Sequence, residues 1–166
     1  GCEDKAEKLF ADKVDGIVDI LQKPAAGKTV SFFYITSNGA ANVRKSTDYI
    51  AEMISLAGGK YIFDDLTDDT AKSTVNMQME SFYAGAKDAD VMIYNATIDS
   101  ELQTLDQLLE KSPLLADFKA VKTGNVWCTE KNLYQSTMEL DELIRDFHTV
   151  IADGDPSTLK YLHKLS

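Results

Sequence analysis

The 166-residue sequence is poor in several kinds of residue, and each shortage narrows what the protein can be. It has two histidines, two cysteines, three prolines and one tryptophan. Positive charge is scarce as well, because 17 lysines and arginines stand against 27 aspartates and glutamates, for a formal net charge of −10. Nucleic acids and anionic membrane surfaces attract basic proteins, so this charge argues against both kinds of partner.

The few histidines and cysteines also limit the chemistry that we expect. His148 and His163 fall in C-terminal segments that we predict to be helical, away from the loops where a ligand would bind, and no G-x-S-x-G sequence supplies a nucleophile. Zinc and manganese sites usually combine histidines with carboxylates, so we expect no metal site, no catalytic residue and no cofactor. Cys2 and Cys128 match no metal or redox spacing. We expect Cys128 to be a small buried residue, and the sequence leaves a disulfide between the two cysteines open.

Long apolar runs are also missing: none is long enough to cross a bilayer, and we find no signal peptide. Residues 3–22 instead predict an amphipathic helix that begins almost at once, with apolar residues along one stripe. A helix with no lead-in is typical of a piece cut from a longer protein. The missing signal peptide therefore says little about the compartment.

What the sequence does contain is an alternation of strand and helix patterns. Strands are predicted at residues 29–36, 60–63, 91–94 and 125–129. Helices are predicted between them, one after the polar loop at residues 37–42 and one beginning at a capping box of Ser100 and Gln103. A last short helix is predicted after Pro156. Such alternation is the pattern of parallel βαβ units, so we expect an α/β fold with three α/β/α layers and a mostly parallel sheet.

In a sheet of this kind, ligands bind beyond the carboxyl ends of the strands. Four segments are predicted to meet there: residues 34–44, 74–79, 95–100 and 129–136. Their polar and aromatic side chains suit binding better than catalysis. The candidate ligand contacts are Tyr34, Ser37, Asn38, Arg44, Asn95, Trp127 and Tyr134.

Arg44 and Trp127 each have a second interpretation. Arg44 is predicted where a loop becomes a helix N-terminus, so that its guanidinium and the helix dipole could meet one anion. It could equally be a solvent-facing residue of the first helical turn. The ring of Trp127 could serve the core instead of a ligand, as large aromatic side chains usually do.

Three segments carry a resemblance to a known family: VRKSTDYIAEMISLAGGKYIFDD, MESFYAGAKDADVMIYNAT and PLLADFKAVKTGNVW. Together they resemble the C-terminal lobe of ABC-transporter substrate-binding proteins, of the long-helix-hinge group that delivers ferric siderophores, haem and cobalamin. The similarity runs from about Thr29 to Ile151 and keeps the order of the elements.

The resemblance implies two lobes joined by a rigid helix, with the cargo held in the cleft between them. Residues 1–23 would then be the end of that connecting helix and residues 24–166 the C-terminal lobe, with the N-terminal lobe absent. It further implies an extracytoplasmic solute-binding protein, periplasmic or anchored by a lipid, whose partners are a metal-chelate or tetrapyrrole cargo and the subunits of a membrane permease. Glu80 matches the family's glutamate that docks onto permease arginines. Its alternative role is that of an ordinary carboxylate in the first turn of a helix.

Two other classes of function remain open from the sequence. A chelatase-like or flavodoxin-like enzyme domain would need a catalytic histidine or a phosphate-binding loop at the ligand-binding end of the sheet. Gly27-Lys28-Thr29 looks like the end of such a loop but precedes a strand, and Gln22 stands where the first glycine is required. A protein-interaction domain would leave the polar loops without a small ligand. The sequence does not distinguish ferric siderophore, haem and corrinoid as cargo.

Overall fold

The computed structural model describes residues 28–46, 48–63, 74–96, 101–130, 140–152 and 156–165. The strands within this part of the chain are β1 (Thr29–Ile35), β2 (Ala41–Arg44), β3 (Lys60–Tyr61), β4 (Thr74–Met77), β5 (Val91–Tyr94), β6 (Val126–Thr129) and β7 (Leu162–Lys164). The α-helices are α1 (Tyr49–Leu56), α2 (Met79–Ala86), α3 (Leu105–Lys111), α4 (Lys119–Thr123) and α5 (Leu140–Ile151). Two short 3-10 helices are Pro113–Asp117 and Pro156–Thr158.

All these strands belong to one sheet, with a parallel centre and antiparallel edges. The strand order is β4-β2-β1-β5-β6-β7, and β3 pairs with the amino-terminal part of β1. The pairs β1–β3, β1–β5 and β5–β6 are parallel, whereas β1–β2, β2–β4 and β6–β7 are antiparallel. Strands β2 and β7 therefore run against the other five. The predicted α/β class with a mostly parallel sheet is confirmed.

Helices cover both faces of the sheet. A Cβ added at Gly59 would lie 2.7 Å from Cδ1 of Ile151 and 3.3 Å from Cγ2 of Val30, so α5 packs closely on the β1 face that carries Val30. Phe33 lies three residues further along β1 and therefore points to the opposite face. There its ring meets that of Phe82 in α2, with the ring centroids 4.5 Å apart. This gives the predicted α/β/α layers.

The central strands end level with one another, which matters for the site. Phe33 of β1 pairs with Tyr94 of β5, and Tyr94 pairs with Cys128 of β6. The backbone N–H of Asn95 donates to the Phe33 carbonyl at 2.7 Å, and that of Ala96 donates to Thr129 Oγ1 at 2.8 Å. The carboxyl ends of β1, β5 and β6 are thus tied together.

The chain after β1 differs from the prediction. Residues 41–44 form strand β2 rather than the loop and helix start that we expected, because Gly39, with φ of 82°, lets the chain reverse into a hairpin. Ala41 and Val43 are buried and alternate with Asn42 and Arg44, which is the period of a strand. Helix α1 begins only at Tyr49, with Asp48 as its N-cap.

The predicted start of one helix and the predicted presence of another are also corrected. The capping box of α3 is formed by Thr104 and Gln107, four residues after the predicted pair, and Ser100 lies outside the described residues. The segment after Pro156 makes only a 3-10 turn and then the strand β7. The apolar period of α3 was read correctly, but its start was placed too early.

Candidate functional site

A tight turn at the end of β1 exposes two of the predicted ligand contacts. The backbone N–H of Thr36 donates to the Ala40 carbonyl at 2.8 Å, and the Gly39 N–H donates to the Thr36 carbonyl at 2.9 Å. The Ala40 N–H also donates to Thr36 Oγ1 at 3.1 Å. The turn is held by these three bonds, so the exposed side chains of Ser37 and Asn38 are left to face a partner.

Tyr34 begins a polar row that runs across the antiparallel edge of the sheet. It is half-buried and pairs with Asn42, which in turn pairs with Asn76 of β4. Nδ2 of Asn42 donates to Oδ1 of Asn76 at 2.7 Å. The prediction included Tyr34 but missed both amides. The alternation of apolar and polar residues in β2 is the signal that could have revealed them.

Arg44 does not lie where the sequence placed it. It is the last residue of β2, where it pairs with Thr74, and its Nη1 lies 3.6 Å from Oδ1 of Asp48. The carboxylate of Asp48 accepts from the Ile50 N–H at 3.1 Å, so this side chain already provides the negative charge at the helix N-terminus. The predicted place of Arg44 at a helix N-terminus is therefore wrong, and its role as a ligand contact stays a prediction.

The backbone of Arg44 is held as well. The Tyr61 hydroxyl donates to the Arg44 carbonyl at 2.6 Å. Burial raises the pKa of the Tyr61 hydroxyl well above its usual range, so this group stays a proton donor. The contacts on both sides of Arg44 fix the junction between β2 and α1.

Asn95, directly after β5, and Trp127, within β6, are both buried. Asn95 is 2% exposed and Trp127 is 5% exposed. The Trp127 ring lies in β6 between Ile93 and Lys164, with Nζ of Lys164 5.8 Å from the ring centroid. Its alternative role in the core is the one that the structure shows. A direct ligand contact for either side chain stays a prediction, and Tyr134 lies outside the described residues.

Glu80 is exposed in the first turn of α2, directly after strand β4. Met77 at the end of β4 pairs with Ala41, which pairs with Ile35 at the end of β1. Glu80 therefore lies at the same end of the sheet as the β1–β2 turn. A carboxylate in a first helical turn is also favoured by the helix dipole.

One histidine lies where we did not expect it. His148 is in α5, as predicted, with Nδ1 2.9 Å from the Ala57 carbonyl. His163 is not in a helix but in β7, opposite Cys128 and near the carboxyl end of β6. The prediction that both histidines lie away from this end is wrong for His163, because the strand β7 was not recognised.

The Cys128 thiol is buried in β6 and donates to the Thr129 carbonyl at 3.4 Å, in agreement with its predicted place in the core. Cys2 and the predicted connecting helix at residues 1–23 lie outside the described residues. Within the part of the chain that the structure describes, no helix has the length and apolar character needed to cross a membrane.

Comparison with known sequences gives a family and two relatives. The model of a family described as periplasmic binding protein matches residues 1–133. An uncharacterized lipoprotein of Methanocaldococcus jannaschii is 31% identical over 153 residues, which cover 90% of this chain and 35% of the relative. A second uncharacterized lipoprotein of that organism is 26% identical over 170 residues, which cover 97% of this chain and 42% of the relative. The chain thus spans less than half the length of these curated relatives.

Solved structures share the fold at low sequence identity. An ABC-type Fe3+-hydroxamate transport protein from Saccharomonospora viridis aligns with a TM-score of 0.66 at 14% identity, over 89% of this chain and 49% of that one. A periplasmic haem-binding protein from Pseudomonas aeruginosa has a TM-score of 0.65 at 15% identity, over 98% and 56%. An ABC-transporter substrate-binding protein from Listeria monocytogenes has a TM-score of 0.62 at 18% identity, over 91% and 58%.

Proposed function

Since this chain belongs to the periplasmic binding protein family, we propose that it is the C-terminal lobe of an extracytoplasmic solute-binding protein that delivers a metal chelate or a tetrapyrrole to an ABC importer. The observation that carries the proposal is the family match, which spans residues 1–133 and so includes the β1–β2 turn and the ends of β5 and β6. It favours a binding protein over a chelatase-like or flavodoxin-like enzyme. The curated relatives are described as lipoproteins, which supports an extracytoplasmic location.

The cargo class is inferred from structural neighbours and from the chemistry of the exposed end. Proteins of the same fold are named for Fe3+-hydroxamate transport and haem binding. Ferric siderophores, haem and corrinoids all carry amide or carboxylate oxygens at their edges. The hydroxyl of Ser37 and the amide of Asn38 offer hydrogen-bond donors for such oxygens, and half-buried Tyr34 adds an aromatic edge with a hydroxyl.

The lengths of the matches support a second lobe. This chain covers 35% and 42% of its curated relatives and 49% of the hydroxamate transport protein. We assign residues 24–166 to the C-terminal lobe and residues 1–23 to the end of a helix that connects it to a preceding lobe. A small-ligand pocket encloses most of its ligand, so we expect the cargo to lie between the two lobes rather than on this one alone.

Within this arrangement we divide five of the seven predicted contact residues into two groups. Tyr34, Ser37 and Asn38 reach the surface at the carboxyl end and are assigned to cargo contact. Asn95 and Trp127 are almost fully buried, so we assign them to support of that surface. We base this assignment on exposure, because a side chain must reach the surface of the cleft to contact cargo.

The test is a titration of the protein together with its preceding lobe. Ferric hydroxamate, haem and cobalamin would be added in turn while tryptophan fluorescence is recorded and corrected for absorbance, and a Trp127→Phe variant identifies the signal of Trp127, the single tryptophan of this chain. We expect a saturable quench with one class of cargo. A double change, Ser37→Ala with Asn38→Ala, should weaken that binding by about tenfold, the loss of one or two hydrogen bonds. Lys122→Ala, in α4 at the other end of the sheet, is the matched control. A flat response from a folded two-lobed protein would overturn the proposal.

Glu80 is proposed as a contact for a basic residue of the permease. Its exposure at the cargo end of the sheet makes it available, and charge at the rim of an interface mainly sets association and orientation. Glu80→Gln should reduce cargo-dependent stimulation of the importer in vesicles while leaving the cargo affinity unchanged. Glu52→Gln is the control, because Glu52 is also an exposed glutamate in a first helical turn. Equal effects of the two changes would contradict the assignment.

A further inference from the structure

We propose that Glu101, Glu130 and His163 form a binding site for a divalent first-row metal ion at the carboxyl end of β6. One ligand atom from each side chain lies within 4.8 Å of the other two. Two ligand atoms bound to one ion at about 2.0–2.2 Å are themselves roughly 3–4 Å apart, so the cluster needs only a small contraction to enclose an ion. The proposal concerns this chain alone and does not depend on the cargo or on a second lobe.

The proton on His163 is located by its backbone neighbour. Nε2 of His163 lies 2.5 Å from the Leu102 carbonyl oxygen, which can only accept a hydrogen bond. Nε2 must therefore carry a proton. In the neutral imidazole this leaves the lone pair on Nδ1, the nitrogen that a metal ion would bind.

That lone pair faces two carboxylates. Nδ1 of His163 lies 3.2 Å from Oε1 of Glu130 and 3.9 Å from Oε1 of Glu101. Three electron-rich atoms so close together repel one another unless a proton or a cation lies between them. A divalent ion bound to all three would remove the repulsion and neutralise both carboxylates. The competing arrangement is a protonated His163 that pairs with the two glutamates.

The Leu102 contact holds the His163 ring in the orientation that metal binding requires. Histidines that bind metals in proteins usually donate the second ring N–H to a backbone carbonyl or carboxylate, which fixes the tautomer and the ring orientation. Leu102 is 4% exposed, so its carbonyl is held by a buried residue. Nδ1 of His163, which carries the lone pair in the neutral ring, thus faces the glutamates before any ion binds.

The fold also holds the three ligands in place from different segments. The Glu130 N–H donates to the Tyr161 carbonyl at 2.8 Å, which joins the end of β6 to the start of β7. The carboxylate of Asp146 in α5 accepts from the N–H groups of Lys160 at 3.0 Å and Tyr161 at 2.6 Å. These hydrogen bonds fix residues 160 and 161, just before His163. The start of β7 is therefore held by β6 on one side and by α5 on the other.

The ligand set indicates the kind of ion. One imidazole nitrogen with two carboxylate oxygens suits Zn²⁺, Mn²⁺ or Fe²⁺, whereas Cu⁺ prefers sulfur ligands. The side chains of Glu101, Glu130 and His163 are 29%, 34% and 22% exposed, so the ion could enter and keep water in its remaining positions. Oε1 of Glu101 also accepts from Nε2 of Gln103 at 3.0 Å, which steadies the carboxylate at the edge of the site.

The experiment titrates this chain, freed of metal with a chelator, with Zn²⁺ and with Mn²⁺. Calorimetry should show one ion bound for each chain. Because there are only two histidines, ¹⁵N labelling of the imidazoles gives two sets of signals. Zn²⁺ should shift Nδ1 of His163 and leave His148 unchanged, and Mn²⁺ should broaden the signals of His163 first.

Variants identify the ligands. His163→Gln and Glu130→Gln should each weaken Zn²⁺ binding by about 100-fold or more, because loss of a residue that only orients a metal ligand already costs about 10- to 100-fold, whereas His148→Gln should have no effect. Gln at position 163 keeps an N–H for the Leu102 carbonyl, and unfolding curves without metal check that each variant is folded. The wild-type spectra need no variant and decide the question by themselves. Metal binding that leaves His163 unchanged, or no binding at all, would overturn the site and leave the cluster as an ion pair.

Discussion

The two ends of the sheet are each fastened by an aspartate, and the two aspartates are in opposite electrostatic settings. At the amino end, Asp90 precedes β5 and accepts from Lys119 Nζ at 2.5 Å and from the Thr29 N–H at 3.0 Å. The hydrogen bond from Lys119 is the main cause that lowers the pKa of Asp90. At the carboxyl end, Asp146 is 3% exposed, and burial raises its pKa although the N–H groups of Lys160 and Tyr161 oppose that shift.

The contrast shows how differently the two ends use their charges. The amino end completes its network locally: a carboxylate, an ammonium group and a threonine satisfy one another beside solvent. The carboxyl end uses Asp146 only to hold backbone, and leaves Glu101, Glu130 and His163 facing one another. In α/β proteins the carboxyl ends of the strands are where ligands bind. The cluster of Glu101, Glu130 and His163 lies at that end.

The largest expected effect is on the free energy of unfolding when Asp146 or Asp90 is replaced by alanine. Asp146→Ala leaves the part-buried N–H groups of Lys160 and Tyr161 without their acceptor, which should lower the free energy of unfolding by about 1–3 kcal/mol. Asp90→Ala should cost less, because water can replace the Asp90 carboxylate. Urea unfolding measures both. Asp146→Asn keeps one acceptor oxygen and should lie between Asp146→Ala and wild type. A larger loss from Asp90→Ala would reverse the comparison.

Replacing the glycine in the turn at either end of the sheet by alanine should lower stability by a similar amount, so the two variants form a matched pair. Gly39 in the β1–β2 turn has φ of 82° and Gly124, before β6, has φ of 78°. A Cβ at either position meets nothing within 4 Å, so the cost of alanine is the left-handed backbone alone, about 1–2 kcal/mol. Thermal unfolding of Gly39→Ala and Gly124→Ala should give similar losses.

Gly39→Ala and Gly124→Ala should differ in their effect on cargo affinity. Gly39→Ala distorts the turn that carries Ser37 and Asn38, so it should weaken cargo binding as well as stability. Gly124→Ala should change stability alone. If both variants bind cargo as wild type does, the turn is not part of the cleft surface.

The sequence predicted the parallel centre of the fold better than its edges. The apolar run Val91–Tyr94 is buried at every position and was recognised as a central strand. Strand β2 spans only Ala41–Arg44, and its Val43 also fits the helical pattern that continues through Ile50 and Met53. Strand β7 has a single buried residue, Leu162, in three. Patterns this short cannot distinguish a strand from a loop, and only the pairing with β1 or β6 defines them.

The candidate site shows the same limit. The exposed turn that carries Ser37 and Asn38 was predicted because a polar loop after a buried strand is visible in sequence, and their contact with a ligand stays a prediction. Arg44 was misplaced because β2 was missed, and His163 was excluded because β7 was missed. The approach of His163 to Glu101 and Glu130 joins residues that are 62 and 33 positions apart in the chain. Only the tertiary fold brings such residues together.

The smallest effect concerns the response to pH, where the two aspartates should act with opposite sign. Asp90 has a folded-state pKa below its ordinary value of 3.8, so its contribution to stability is present above that value and is lost as the pH falls through the lower folded pKa. Asp146 has a folded-state pKa above 3.8, so its ionised form is less favourable in the fold than in the unfolded chain. Its cost is present at neutral pH and is relieved as the pH falls toward 3.8.

Asp90→Asn and Asp146→Asn test this directly, because each removes one titration and keeps an acceptor oxygen. Urea unfolding would be measured from about pH 6 to about pH 3, the range in which the bound protons differ between the folded and unfolded states. As the pH falls, the stability of wild type relative to Asp90→Asn should decrease, and its stability relative to Asp146→Asn should increase. Glu142 is coupled to Asp146 and adds to its raised pKa, so the difference between wild type and Asp146→Asn reports the titration of that pair. If both stability differences changed with pH in the same direction, the backbone N–H groups would lower the pKa of Asp146 more than its burial raises it. Both aspartates would then stabilise the fold in their ionised form.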